Sequence, residues 1–152
     1  MITDPISSHQ ADLSDTLNDR EATYRKLVSP RLMEELRYKI YDSVVNHHNY
    51  RDPYYSATRL AEDIGTNVRY VSAVIRVQFH CNYTTFVNRY RVEEAKQLLA
   101  SRRHAERTIE EIGFMAGFAH RQSFHVAFVK YVGETPNAYR EKMIENANQN
   151  PK

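Results

Sequence analysis

The chain has 152 residues, which is enough for one domain, or for one small domain with an extension. Apolar residues make up 41% of it, with only four glycines and five prolines, so the composition predicts a mainly helical protein with a core. A single Cys81 excludes an internal disulfide and a Cys-based metal site, and no apolar run is long enough to span a membrane. The first residues lack the features of a signal peptide, so we expect a cytoplasmic protein with no cofactor and no membrane partner.

The overall charge of +2 is unevenly distributed along the chain. Residues 1–55 hold 7 Lys and Arg against 9 Asp and Glu, whereas residues 56–143 hold 13 against 9, together with four of the seven histidines. A moderately basic body behind an acidic leader is compatible with a polyanionic partner such as nucleic acid.

Residues 1–30 form a polar leader. Leu13, Leu17, Tyr24 and Val28 follow helical spacing, which allows a helix over about residues 12–28, but the polar composition favours a frayed linker. Such a helix could serve as an interaction arm.

The next helix is predicted to begin at Ser29-Pro30, which suit an N-cap and a first turn, and to continue to about Asn46. The stretch HHNYRDPYY that follows reads as a polar loop with its turn at residues 52 and 53. The pair His47-His48 has no Cys, Asp or Glu at ligand spacing beside it, so we predict a solvated loop and no metal site.

An internal repeat follows this loop. TRLAEDIG (58–65) and EEIGFMAG (110–117) place apolar and small residues at matching positions, and apolar anchors at a four-residue interval come after each final glycine. Ala61 and Gly113 stand where two crossing helices must approach closely, while Gly65 and Gly117 can take the left-handed conformation that ends a helix. Each copy therefore predicts a helix-turn-helix unit, at about 56–80 and 108–132.

Residues 84–100, between the two copies, predict one long helix without internal glycine or proline. Its apolar residues gather on two differently aimed faces, which are Tyr83, Phe86, Val87 and Tyr90 on one side and Val92, Ala95, Leu98 and Leu99 on the other. Two faces indicate a connector with a body packed on each side. One broad buried face of an ordinary core helix is the alternative that this pattern leaves open.

Polar residues at helix starts support this division. Ser56 and Asn67 are predicted N-caps of the first unit, and Thr108 with Glu111 matches a capping box. Gly133 is predicted to end the last long helix, and a short final helix opens at residues 135–136 and ends near residue 143, before a polar tail over 144–152. We therefore predict an all-α protein in which two helix-turn-helix subdomains, within residues 31–143, are joined by a long connecting helix.

The second helix of each unit has an outer face that suits the major groove of DNA. Arg can bond guanine, Gln can bond adenine, and Val or Ala can meet a thymine methyl group. The predicted base-contacting residues are Arg69, Ser72, Ala73 and Arg76 in the first unit and Arg121, Gln122, His125 and Val126 in the second. The predicted phosphate-contacting residues, in loops and at helix ends, are Ser56, Thr108, Arg102, Arg103, Arg107, Lys130, Arg140 and Lys142. For any single residue, an ordinary solvated helix face is the alternative.

From about Tyr54 to Lys142 the sequence resembles the DNA-binding domain of the AraC/XylS family of bacterial transcription regulators. The resemblance is carried by LAEDIG, YRVEEAKQLL, TIEEI running into Gly-Phe, and SFHVAFVKYVGETPNAYR. It implies seven helices in two helix-turn-helix units that read two successive major-groove segments on one face of double-stranded DNA. It also places Arg69, Ala73 and the pair Gln122 and Val126 where side chains most often point at bases.

Two departures from the family pattern stand out. The family usually has Thr-Gly where this chain has Phe79-His80, so His80 must adopt the turn conformation, or the turn differs. Ala73 and Val126 stand where a long polar residue is common, so we expect base specificity to rest more on the arginines, Gln122 and His125. Only about 50 residues precede the motif, too few for a ligand-binding barrel. The chain is therefore read either as a stand-alone binder or as the output part of a larger sensor protein.

The leading hypothesis is a sequence-specific, DNA-binding transcription regulator of the bacterial cytoplasm and its nucleoid. The alternative is a protein-interaction module whose helix-turn-helix faces dock RNA polymerase or a co-regulator, because Ala73 and Val126 place apolar groups on faces read as open. Salt dependence separates the two, since phosphate contacts weaken steeply as salt rises. No nucleophile motif, metal-ligand cluster or phosphate loop is found, so an enzyme is not predicted.

Overall fold

The computed structural model describes residues 19–149, which form a succession of helices and, over that range, no β-strand. The helices are α1 (residues 19–27), α2 (Pro30–Tyr41), α3 (Ala57–Asp63), α4 (Val68–Phe79), α5 (Tyr83–Ala100), α6 (Ile109–Ala116), α7 (Arg121–Val132) and α8 (Pro136–Gln149). A π-helical turn over Asp42–Asn46 and 3₁₀ turns over Asn49–Arg51 and Arg102–His104 complete this part of the chain. None of these helices is both long and apolar enough to cross a membrane. The all-α prediction is confirmed.

The described chain divides into two compact units. The first contains residues 19–41 and Ala57–Tyr83, and therefore helices α1 to α4. The second contains Asp42–Ser56 and the chain from Thr84 onward, and therefore nearly all of α5 together with α6 to α8. Each unit holds one of the two predicted helix-turn-helix elements.

In the first unit, α2 and α3 both pack against α4. Helix α2 begins where the sequence predicts, because the Ser29 Oγ accepts the Leu32 N–H at 3.3 Å and the Ser29 carbonyl accepts the next N–H. Part of the leader also has structure here: residues 19–27 are helical and Val28 is fully buried. The expectation of a frayed linker is therefore wrong for residues 19–28, and the rest of the predicted leader helix lies outside the described residues.

The second unit is built around one face of α5. Its core includes a cluster of buried residues from α5, α6, α7 and the turn between the last two, namely Val92, Ala95, Leu99, Ile112, Ala116, Phe118, Phe124, Ala127 and Phe128. Aromatic rings continue through this core, since the ring centroids of Phe124 and Phe128 lie 5.7 Å apart and those of Phe128 and Tyr139 lie 5.5 Å apart. Phe86 and Val87, on the other predicted face of α5, are buried too.

The turns of the two helix-turn-helix elements have the same geometry. In both, the glycine has a positive φ, +74° at Gly65 and +113° at Gly117. In both, the N–H after the glycine donates to the carbonyl five residues earlier at 2.8 Å, and the glycine N–H donates to the carbonyl three residues earlier, at 3.2 Å and 3.1 Å. This pair of bonds is the Schellman ending of a helix. The internal repeat of the sequence is therefore a repeat of structure.

The predicted caps also form. The Asn67 side chain accepts the Tyr70 N–H at 2.9 Å, and the Thr108–Glu111 capping box has both of its bonds. His80 ends α4 in the left-handed conformation at φ +58°, so this chain keeps the turn without glycine.

Two predictions about local structure were wrong. Helix α8 does not end near residue 143 but continues to Gln149, because no glycine or proline interrupts it before residue 151. The stretch 47–55 is not simply a solvated loop: the two histidines are exposed, but Tyr50 and Tyr55 are buried. Its polar composition hid the fact that it packs within the second unit.

Gly65 and Gly117 form a matched pair for a test of the turn. A Cβ at Gly65 would meet nothing within 4 Å, whereas one at Gly117 would collide with the Tyr50 carbonyl oxygen and lie 2.8 Å from the Arg91 Nε. Gly65→Ala should therefore lower the free energy of unfolding by about 1–2 kcal/mol, the cost of the left-handed conformation. Gly117→Ala should lower it by roughly 1–3 kcal/mol more, because the site is already full. Urea denaturation of the two variants measures this difference, and equal losses would contradict the packing described here.

Candidate nucleic-acid interface

The outer face of α4 is narrower than the sequence predicts. Arg69 is exposed, and Ser72 and Arg76 are half-buried. Ala73, which was predicted to lie on the open face and contact bases, is 0% exposed. Its placement was wrong, and a residue without accessible surface does not reach a base edge.

The burial of Ala73 follows from the number of helices that pack on α4. Because both α2 and α3 contact it, five of its twelve residues are buried, namely Val71, Ala73, Val74, Ile75 and Val77. At about 100° per residue these positions cover more than half of the helix circumference, and Ala73 lies at the edge of that arc beside Arg69. A helix wheel cannot show this width, since it depends on a second packing partner.

The outer face of α7 agrees with the sequence prediction. Arg121, Gln122, His125 and Val126 are all exposed, whereas the core positions Phe124, Ala127 and Phe128 are buried. Val126 is 58% exposed, a large apolar surface for an isolated valine. Helix α7 therefore presents amide, guanidinium, imidazole and methyl groups together over its first two turns.

Among residues 19–149, Arg121 has one close ionic neighbour. Its Nη1 lies 3.8 Å from the Glu110 Oε1 at the start of α6, and the two side chains are 74% and 64% exposed. A pair this open to water contributes about 0–1 kcal/mol, so it does not hold the guanidinium in place. Arg121 is thus able to exchange Glu110 for another acceptor.

Several of the predicted phosphate-binding cations are exposed in the second unit. Arg102 and Arg103 lie in the 3₁₀ turn after α5, Arg107 precedes α6, and Lys130 lies on the outer side of α7. Arg107 is 4.0 Å from Glu111, and Lys142 is 3.5 Å from Glu134. Ser56 lies directly before α3, as expected for a residue at a helix start.

Two other predicted phosphate contacts are already engaged inside the protein. The Thr108 N–H donates to the Glu111 Oε2 at 2.8 Å, and the Thr108 hydroxyl accepts the Glu111 N–H at 3.1 Å. Arg140 is half-buried, and its Nη2 donates to the His104 carbonyl at 3.5 Å. Its Nε is buried without a hydrogen-bond partner within residues 19–149. These two residues therefore contribute to the fold of the second unit.

A cluster that the sequence analysis missed braces the start of α7. The Arg91 Nε donates to the Tyr50 carbonyl at 2.7 Å and the Arg91 Nη2 donates to the Asp52 carbonyl at 3.1 Å. The Arg91 guanidinium carbon also lies 6.0 Å from the ring centroid of Phe118, directly after the turn glycine. Arg91 stands in the motif YRVEEAKQLL, but only its partners reveal that it ties α5 to the segment before α3 and to the turn.

Glu94, one turn after Arg91, holds the same segment by bonding to two of the side chains of that segment. The Tyr50 hydroxyl donates to the Glu94 Oε2 at 2.7 Å, and the Arg51 Nη2 lies 2.8 Å from the Glu94 Oε1. Burial of the ring, together with its bond to the Glu94 carboxylate, raises the pKa of Tyr50 from 10.0 to about 12, against the opposing charge of Arg51. Within residues 19–149, no three His, Cys, Asp or Glu side chains are grouped to hold a metal ion.

The raised pKa of Tyr50 predicts a pH dependence of stability. The unfolded chain loses this proton near pH 10 and the folded chain near pH 12, so the contribution of Tyr50 is complete below pH 10 and is lost between pH 10 and about 12. Tyr50→Phe should lower the free energy of unfolding at neutral pH by roughly 1.5–3 kcal/mol through loss of a charge-assisted bond. The difference from wild type should then shrink over that pH range. Urea denaturation from pH 8 to 12 measures it, with the exposed Tyr54→Phe as control; a constant difference would contradict the Tyr50–Glu94 bond.

Comparison with known proteins agrees with this geometry. Residues 60–142 match the helix-turn-helix domain family of AraC type. A protein of unknown function from Listeria innocua is 27% identical, with a TM-score of 0.57 over 74% of this chain and 97% of that one. The C-terminal domain of AraT, a response regulator from Geobacillus stearothermophilus, is 25% identical, with a TM-score of 0.59 over 76% of this chain and 87% of that one.

The C-terminal domain of the two-component response regulator yesN from Fusobacterium nucleatum shares the fold, at 24% identity and a TM-score of 0.55, over 72% of this chain and 95% of that one. No curated protein matches the sequence. The family match covers more than half of the chain and includes both turns described above. The chain therefore belongs to the AraC-type helix-turn-helix family.

Proposed function

We propose that this protein is a sequence-specific transcription regulator that binds double-stranded DNA and inserts α4 and α7 into two successive major-groove segments. The observation that carries the proposal is the repeated turn: the same pair of hydrogen bonds and the same positive-φ glycine precede both helices. Each helix then displays arginine on its outer face, and α7 adds glutamine and histidine. Membership of an AraC-type family supports DNA as the partner.

The two helices differ in what they can read. On α4, the accessible readers are Arg69, Ser72 and Arg76, and arginine pairs best with the O6 and N7 of guanine. On α7, Gln122 can form a bidentate bond with adenine and Val126 can contact the methyl group of thymine. We therefore propose a guanine-containing element for α4 and a mixed element for α7, about one helical turn apart.

Phosphate binding is proposed for exposed cations of the second unit, namely Arg102, Arg103, Arg107 and Lys130. Such contacts fix register and affinity without reading sequence, and each neutralised phosphate adds to the salt dependence. Ser56 remains a proposed backbone contact at the start of α3. Thr108, Arg140 and Lys142 are weaker candidates, because each has a partner within the second unit at 3.5 Å or less, closer than the 4.0 Å between Arg107 and Glu111.

A second candidate function is docking of RNA polymerase or a co-regulator. It is favoured by apolar exposure on the second helix-turn-helix element, where Phe114 of α6 is 57% exposed and Val126 of α7 is 58% exposed. The burial of Ala73 removes the corresponding argument for the first element. Similarity to the C-terminal domain of the response regulator AraT also supports a role as the output part of a larger protein.

A selection from random duplexes with the purified chain, followed by titration of the recovered duplex at several salt concentrations, tests the proposal. We expect a motif of two elements about one turn apart and an affinity that falls steeply with salt. Recovery of no motif, or an affinity that is insensitive to salt, would favour the docking function instead.

Gln122→Ala tests the assignment of α7 as a reading helix. Because the side chain is exposed and outside the core, the fold should be retained. Discrimination at one base position should fall by about 1–3 kcal/mol, while Lys130→Ala should weaken all duplexes equally and reduce the salt slope by about one. Binding of a panel of single-position duplex variants measures both effects. Gln97→Ala, at an exposed position of α5, is the control; an unchanged profile for Gln122→Ala would remove α7 from base reading.

A further inference from the structure

The second unit contains a surface depression beside the reading face of α7. It lies between the first turns of α5 and the outer side of α7 and has a volume of about 660 Å³. From α5 it is lined by Thr84 and Asn88, and from α7 by Gln122, Ser123 and Lys130. Gln122 thus belongs both to the proposed base-reading face and to the wall of this depression.

The charge and hydrogen-bonding groups of the depression suit an anion. The chain has 19 Asp and Glu residues, but none of them is among the residues that line it, whereas Lys130 and Arg91 are. Thr84 and Ser123 are exposed hydroxyl residues and therefore possible donors to an oxygen ligand. The Asn88 Oδ1 faces the Arg91 Nη1 at 3.4 Å, so the Asn88 side chain is oriented by its neighbour.

The depression is not purely polar. Val126, Ala127 and Tyr131 of α7 also line it, together with Pro53. A surface that alternates apolar groups with donors suits a sugar–phosphate chain, whose deoxyribose is largely apolar and whose phosphates accept hydrogen bonds. Since a duplex read by Gln122 brings its own backbone within reach of the residues next to Gln122, one strand is the occupant that this geometry fits.

We propose that the depression binds the sugar–phosphate backbone of the DNA strand that borders the groove read by α7, with Thr84, Asn88 and Ser123 as contacts beside Lys130. The inference rests on the proposed function, and it makes α5 a DNA-contacting helix as well as a connector. It predicts that a substitution on α5, outside both proposed reading helices, weakens DNA binding.

The test compares two variants that add the same charge to the same helix. Thr84→Glu places a carboxylate in the depression, and Gln97→Glu places one on an exposed part of α5 outside it. For the duplex recovered by the selection, Thr84→Glu should weaken binding by roughly tenfold through repulsion of a phosphate, and Gln97→Glu by less than about twofold. The loss should be the same for duplexes that differ at the base read by Gln122.

A loss of binding in Thr84→Glu should not come from a loss of folding. An acidic residue in the first turn of a helix is favourable, so Thr84→Glu should unfold at the same temperature as wild type or slightly higher. Thr84→Val, which removes only the hydroxyl, should weaken binding by about threefold without added charge. Ethylation of single phosphates provides a second readout. Ethylation of one or two phosphates beside the α7 element should block binding of wild type, and binding of Thr84→Val should be less sensitive to ethylation at these phosphates.

The outcomes distinguish the two levels of the proposal. If wild type binds no duplex specifically, the proposed function itself fails. If wild type binds but Thr84→Glu behaves like Gln97→Glu, the depression is not the backbone site, although the regulator function stands. A third outcome would also overturn this placement of the strand. In it, Thr84→Glu weakens binding, but ethylation of the same phosphates blocks Thr84→Val and wild type to the same extent.

Discussion

The fit of Gly117 against the Tyr50 carbonyl oxygen is the constraint on which the second helix-turn-helix element depends. The end of α6 requires a left-handed residue there, and the space that a Cβ would fill is taken by that oxygen and by Arg91. Arg91 donates to the same oxygen, so the turn, α5 and the segment before α3 converge on one atom. Since α7 begins only four residues after Gly117, this contact also positions the start of α7 and its exposed outer face.

This convergence explains why the units do not follow the order of the sequence. Asp42–Ser56 lies in the chain between α2 and α3, which belong to the first unit, yet it is part of the second. Its polar groups bond to α5. The Glu94 carboxylate accepts the Tyr50 hydroxyl and pairs with Arg51, and Arg91 donates to the Tyr50 and Asp52 carbonyls. These side-chain bonds supply partners for the Tyr50 and Asp52 carbonyls, because unpaired carbonyls are costly away from water.

The sequence predicted what is decided by a few adjacent residues. The capping box at Thr108 and the left-handed glycines follow from local backbone chemistry. For His80 the family resemblance left two alternatives open, and the structure has the left-handed one. The sequence predictions failed where the outcome depends on partners distant in the chain. Ala73 is buried because two helices rather than one pack on α4. Tyr50 is buried in contact with Arg91 and Glu94, which follow it in the chain by some forty positions. The tail was predicted to begin at residue 144, but α8 continues to Gln149. This error has a local cause, the absence of a stop signal before residue 151.

The same packing leaves the two candidate reading helices chemically unequal. With Ala73 in the core, the predicted base-contacting residues of α4 that remain accessible are two arginines and a serine, and arginine can bind phosphates as well as guanine. Helix α7 keeps Gln122 and Val126 fully on its outer face, and a bidentate amide and a methyl contact distinguish bases without adding charge. In the proposed complex with DNA, the arginines of α4 would therefore bind phosphates as well as guanine, and α7 would contribute more of the discrimination between bases. A net charge of only +4 over residues 56–143 is consistent with such a binder, because discrimination by α7 then depends on hydrogen bonds and shape more than on charge.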